Sequence, residues 1–86
     1  MKAFLIEQEE GGKDIAIANN IAEAVVWHMF EGGLEKDEYE HTTVKELTKE
    51  EYEAINMFDR DDNVTLTMDY AEDVESATQP YVLFTE

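Results

Sequence analysis

The spacing of apolar residues changes several times along the chain, and each change marks an element. Residues 2–8, KAFLIEQ, carry apolar side chains on both faces and predict a well-covered strand. The Gly11-Gly12 pair predicts a hairpin turn, with DIAIA at 14–18 as the returning strand. From Asn20 the period becomes helical. Asn20 is a capping residue type, Glu23 completes a capping-box pattern, and Gly32-Gly33 ends the helix after about Glu31.

Within this helix Ile21, Ala22, Val25, Val26, Met29 and Phe30 form one broad stripe, which is the expected core face. Trp27 lies about 150° round from the centre of that stripe. Either a second element covers it, or it stands on the surface as an interface anchor. The covered position is favoured, because a small domain tends to sandwich its one long apolar helix. His28 flanks the stripe and is expected as a satisfied boundary residue rather than a catalytic or metal-binding one.

The second half is more polar. LEKDEYEH (34–41) is an acidic connection, and HTTVKEL (41–47) has the β-branched content of a strand. Thr48 and Glu51 form a second capping box. The helix they open is expected to run to Phe58, with Leu47, Tyr52, Ile55 and Phe58 on one face and Glu50 and Glu53 in solvent. DRDDN (59–63) then closes it as a loop. NVTLTMDY alternates as a strand does, whereas MDYAEDVESATQ also permits a helix, so a short strand at 63–67 and a helical segment at 68–78 are expected. Pro80 opens a last strand, PYVLFTE, whose apolar run suggests a central place beside the first strand. The whole predicts a single domain, residues 1–86, of α+β class. It has a small, mainly antiparallel sheet of about four strands with two to three helices packed on one face. Leu5, Val25, Met29, Ile55 and Leu83 are the expected core.

Composition supports a folded chain, since 43% of the residues are hydrophobic and nine are aromatic. No apolar run reaches membrane-spanning length, and the four-residue patch at Ala3–Ile6 meets acids at once, so neither a signal peptide nor an anchor is expected. Without cysteine the chain forms no disulfide and no thiolate metal site, and a cytoplasmic location is the expectation.

Charge changes the picture most. Twenty-two acids against six bases give a net charge of −16, divided as −3 over residues 1–30, −8 over 31–62 and −5 over 63–86. Solubility alone asks for a magnitude of roughly 2–8 in a small domain. Such a charge disfavours direct binding to nucleic acid or to an anionic membrane. It favours a strongly basic protein surface, reached under electrostatic steering.

The candidate chemistry is sparse. DRDDN resembles the start of a calcium loop, with Asp59, Asp61 and Asn63 at ligand positions. The position that requires glycine is Val64 and the one that requires glutamate is Tyr70, so the loop is no calcium switch. Ser76, the only serine, sits among acids. No phosphate-cradling glycine loop and no histidine pair at metal-ligand spacing occurs. Neither an enzyme nor a cofactor or metal site is expected.

The glycine-turned hairpin, the helix beginning NIAEAV, the cap-and-helix VKELTKEEYE and the closing PYVLFTE together resemble small, acidic, phage-encoded accessory proteins. These include anti-CRISPR and anti-restriction inhibitors that imitate DNA. The resemblance implies action inside a bacterial host cell, against a nucleic-acid-binding defence nuclease, and it transfers no individual residue role. The physics of mimicry is independent of it. A groove lined with lysine and arginine to grip about one phosphate charge per 1.7 Å of duplex also accepts fixed carboxylates, with arginine pairing bidentately. Glu35, Asp37, Glu38, Glu40, Glu50, Glu53, Asp59, Asp61 and Asp62 are the candidate contacts. The rival expectation is a protein-interaction module, or a homodimer, docking through Trp27.

Overall fold

The computed structural model describes residues 1–8, 13–33, 42–59 and 62–84. Among the described residues, six strands and three helices follow in the order β1 (Lys2–Gln8), β2 (Lys13–Ala18), α1 (Ile21–Gly32), β3 (Thr42–Leu47), α2 (Lys49–Glu53), β4 (Ile55–Asp59), β5 (Val64–Met68), α3 (Ala71–Ser76) and β6 (Tyr81–Phe84). Four strands form an antiparallel sheet in the order β3-β1-β2-β6, and β4 and β5 form a separate hairpin. The class is α+β, as the alternating periods predict.

Strands β1 and β2 are the two central strands, paired from Lys2↔Ala18 to Glu7↔Lys13. That explains their apolar residues on both sides. Strand alternation sends Phe4 and Ile6 of β1, with Ala16 and Ala18 of β2, to one face; Ala3, Ile15 and Ile17 go to the other. Both faces are covered. Helix α1 lies over the first, through Ala24 and Trp27, while Tyr52 of α2, Ile55 of β4 and Val74 of α3 lie over the second. The expectation of helices on a single face is therefore corrected. A strand with apolar residues on both sides needs cover on both.

Strand β6 pairs with β2, from Asp14↔Phe84 to Ile17↔Tyr81, and lies at the sheet edge rather than beside β1. Strand β1 already has β2 on one side and β3 on the other, so no place is left there for a last strand.

The second helix is shorter than expected. Its capping box is complete, with Glu51 donating its backbone N–H to Thr48 Oγ1 at 3.3 Å and accepting from the Thr48 N–H at 3.1 Å. Yet α2 stops at Glu53, and Ile55 and Phe58 belong to a strand. Pairing from Ile55↔Met68 to Asp59↔Val64 makes Asp59 the end of a strand instead of a helix terminus, with Arg60 and Asp61 outside the described residues. Asn63 takes the left-handed conformation, φ 53°, which asparagine tolerates. Strand pairing has overridden a helical pattern that ran for nearly three turns.

Helix α1 forms where expected, with the Asn20 side chain accepting from the Glu23 N–H at 2.9 Å. Glu23 reaches back one residue further than a capping box requires, to the N–H and the side-chain amide of Asn19, both at 3.0 Å. Gly33, φ 64°, closes the helix in the left-handed conformation and donates to the Met29 carbonyl.

Its rotation, however, is opposite to the expectation. The buried residues of α1 are Ala24 and His28, with Trp27 partly buried against the same core. Ile21, Val26 and Phe30 of the expected core stripe are 51%, 63% and 78% exposed. Asp14 supplies the reason. It projects from β2 onto the face that α1 covers, and its carboxylate meets His28 Nε2 at 2.7 Å with the histidine wholly buried. Were the apolar stripe turned inward, Asp14 would be buried without a partner, which costs several kcal/mol. Ala16, Ala18 and Ala24 let helix and sheet approach closely enough for that contact. Of the expected core, Ile55 is buried and Leu5 and Leu83 pack partly buried beside it, whereas Val25 and Met29 belong to neither core cluster.

Candidate binding surfaces

Two surfaces of opposite character stand out. The first is an acidic ridge on α2 and α3. The two helices lie together, tied by the Tyr70 N–H donating to the Tyr52 carbonyl at 2.9 Å. Residues 49–53 and 69–76 hold seven carboxylates and one lysine. Glu50, Asp69, Glu72 and Glu75 are exposed, and Glu53 is half-exposed. Asp69 Oδ1 accepts from the Ala71 N–H at 2.9 Å and so starts α3 in place of a side-chain cap on Tyr70. Ser76 donates its hydroxyl to the Glu72 carbonyl at 2.6 Å, which occupies it locally.

Two of the described lysines offset part of this charge, because they pair with ridge carboxylates. Lys2 pairs with Glu46 at 3.5 Å, Lys49 with Glu53 at 3.9 Å and Lys45 with Glu51, while Lys13 has a contact of its own. Glu51 is held well below its ordinary range, at about 2, first by the Lys45 ammonium and then by the Thr48 backbone. On the inner side of the ridge, burial raises the hydroxyl pKa of Tyr70 and of Tyr81, and the Asp73 charge adds to both. Tyr81 also donates to the Asp73 carbonyl at 3.3 Å, fixing β6 against α3.

Of the sequence-derived contacts, Glu50 and Glu53 lie on this ridge and Asp62 is exposed at the hairpin tip. Asp59 ends β4. Glu35, Asp37, Glu38, Glu40 and Asp61 lie outside the described residues. Asp69, Glu72 and Glu75 were missed as contacts, although the charge of AEDVES was visible; only the packing of α3 beside α2 places them with Glu50.

The second surface is apolar: the outward stripe of α1, centred on Val26 and Phe30. Trp27 turns to the other side, partly buried, with its ring edge-to-face against Phe30 at a centroid separation of 6.0 Å. A smaller apolar strip lies on β5, where Val64, Leu66 and Met68 share one side.

The His28–Asp14 pair is the one buried histidine–carboxylate contact among the described residues, and it is sealed between α1 and β2. No group of three or more metal-ligating side chains occurs among the described residues, nor is any helix there long and apolar enough to cross a membrane. Comparison with protein-family models, curated proteins and solved structures gives no match.

Proposed function

We propose that this protein is a non-catalytic inhibitor that occupies the nucleic-acid-binding surface of a basic protein, with its fixed carboxylates standing in for DNA phosphates. The observation that carries the reading is the acidic ridge of α2 and α3, where Glu50, Asp69, Glu72 and Glu75 stand exposed, on a domain of net charge −16. A partner shaped to grip duplex phosphates presents arginines that pair with carboxylates as readily. The resemblance to acidic phage inhibitors makes a defence nuclease in a bacterial cytoplasm the first partner to seek.

The test is competition. The protein, immobilised at low salt, captures its partner from a bacterial lysate, and the partner is identified after a salt-step elution. The purified partner should then lose DNA binding when this protein is added, and duplex DNA should displace the protein in turn. Converting Glu50, Glu72 and Glu75 to glutamine should slow association at low salt by roughly tenfold. A partner that holds on through the salt step and ignores DNA would refute mimicry.

A further inference from the structure

Strand β5 is exposed on both of its faces, with Val64, Leu66 and Met68 on one side and Thr65 and Thr67 on the other. Among the described residues its one partner strand is β4, so no second strand there meets the backbone donors and acceptors of its outer edge. Across the hairpin the Thr67 hydroxyl donates to Asn56 Oδ1 at 3.1 Å. Two strands alone are marginal in water, and further strands stabilise them.

The edges of the larger sheet are blunted, whereas this one is not. Strand β3 carries the exposed charges Lys45 and Glu46, and β6 has four residues and follows Pro80. Charge, proline and short length each discourage a further strand from adding. Strand β5 has five residues, no charged side chain and no proline. Such an edge takes an extended strand through main-chain hydrogen bonds.

The sequence of β5 selects that strand. VTLTM (64–68) alternates in the same way in both directions from Leu66. When it is laid antiparallel on a second copy about a two-fold axis at Leu66, Val64 meets Met68, Leu66 meets its own counterpart and Thr65 meets Thr67. Apolar side chains then oppose apolar ones and hydroxyls oppose hydroxyls, which stabilises neighbouring strands. A slip of one residue would set threonine against leucine. Along the same register Asp62 and Asp69 fall opposite Tyr70 and Asn63 of the copy, so these acids do not oppose each other. A basic strand of another protein would find no carboxylate on β5 to pair with.

We propose that two copies of this chain associate through their β5 strands, joining the two hairpins into one antiparallel sheet in the order β4-β5-β5-β4. The same surface serves both copies, so the assembly closes as a dimer. It is a weak one. The five-residue strand runs about 17 Å, which falls short of the roughly 800 Å² per partner of a stable interface. Each copy also brings a net charge of −16. Association therefore needs high concentration and grows as salt screens the repulsion, the reverse of the response of a basic partner on the acidic ridge. Asp69 follows Met68, so a ridge begins at each end of the joined strands and the dimer offers two of them.

The test exploits a chain without cysteine. Leu66→Cys should link into a dimer under mild oxidation, because the two sulfurs meet at the axis. Val64→Cys alone should not, since the two copies of residue 64 lie about 14 Å apart along the strands; mixing it with Met68→Cys should restore the link. Equal linkage of Leu66→Cys and Val64→Cys would overturn the inference. In sedimentation at about 1 mM the parent's mean mass should move towards the dimer as salt is raised. Leu66→Lys should keep the parent's melting temperature and weaken association about tenfold, because like charges then meet. A parent that stays monomeric in high salt would overturn the inference, as would a dimer that survives Leu66→Lys. Loss of that surviving dimer in Val26→Ser with Phe30→Ser would place the contact on α1 instead. None of these outcomes touches the acidic-ridge reading, which is tested at low salt against a basic partner.

Discussion

The two faces of the central sheet are covered in opposite ways. On one, Tyr52, Ile55, Tyr70 and Val74 pack apolar surface against Ala3, Ile15 and Ile17, and the acids of α2 and α3 point to water. This is the ordinary arrangement of an amphipathic layer. On the other, α1 turns its small and polar side inward, with Ala24 and His28, and leaves its apolar stripe outside. The difference lies in one residue of β2. Asp14 places a carboxylate on the α1 face, and a buried carboxylate left without a partner costs several kcal/mol, which favours the helix rotation that brings His28 to it. Hydrophobic periodicity shows that a helix has a distinctive face; it does not say which way that face points when the opposing sheet carries a charge.

The contrast can be broken most severely on the α3 side. Val74→Asp buries an unpaired charge in a wholly apolar cluster and should abolish the cooperative thermal transition. Next comes the α1 side. His28→Leu strands Asp14 and should cost about 3–5 kcal/mol by chemical denaturation, whereas Asp14→Val combined with His28→Leu should recover most of that loss. Equal destabilisation by the single and double variants would show that the pair does not set the helix rotation.

A smaller effect concerns Glu51, whose carboxyl in the folded protein sits at about 2, below the ordinary 4.5. A lowered folded-state pKa stabilises the protein above the unfolded value and loses that contribution as pH falls through the folded one. The melting-temperature difference between the parent and Glu51→Gln should therefore be widest above pH 4.5 and close as pH falls towards 2. Across the same series added salt should raise the melting temperature, because it screens the repulsion among excess carboxylates. Least of all, Val26→Asp should change stability by no more than about 0.5 kcal/mol, as an exposed site does. A large loss there would mean that the stripe is buried after all.

Much of the fold was legible beforehand because its signals are local. The β1–β2 pairing, the Asn20 and Thr48 caps, the Gly33 terminus and the short strand before α3 depend on neighbours within a few positions, while the Gly11-Gly12 turn lies outside the described residues. The length of α2 was not legible. Ile55 and Phe58 are spaced for a helix face, and only their pairing with Val64–Met68 makes them a strand. The acidic ridge was half legible. Glu50 and Glu53 follow from the second cap, but Glu72 and Glu75 join them only through the packing of α3 on α2.

Composition and local pattern, then, determined the α+β class, the caps and the excess of negative charge, since each depends on residue identity and near spacing. Tertiary structure alone decided that β6 would take the edge beside β2, that both sheet faces would be covered, and that α1 would rotate its apolar stripe into solvent. Those outcomes turn on contacts between distant residues. The decisive one joins Asp14 to His28, fourteen positions apart, a contact that no local pattern in the sequence reveals.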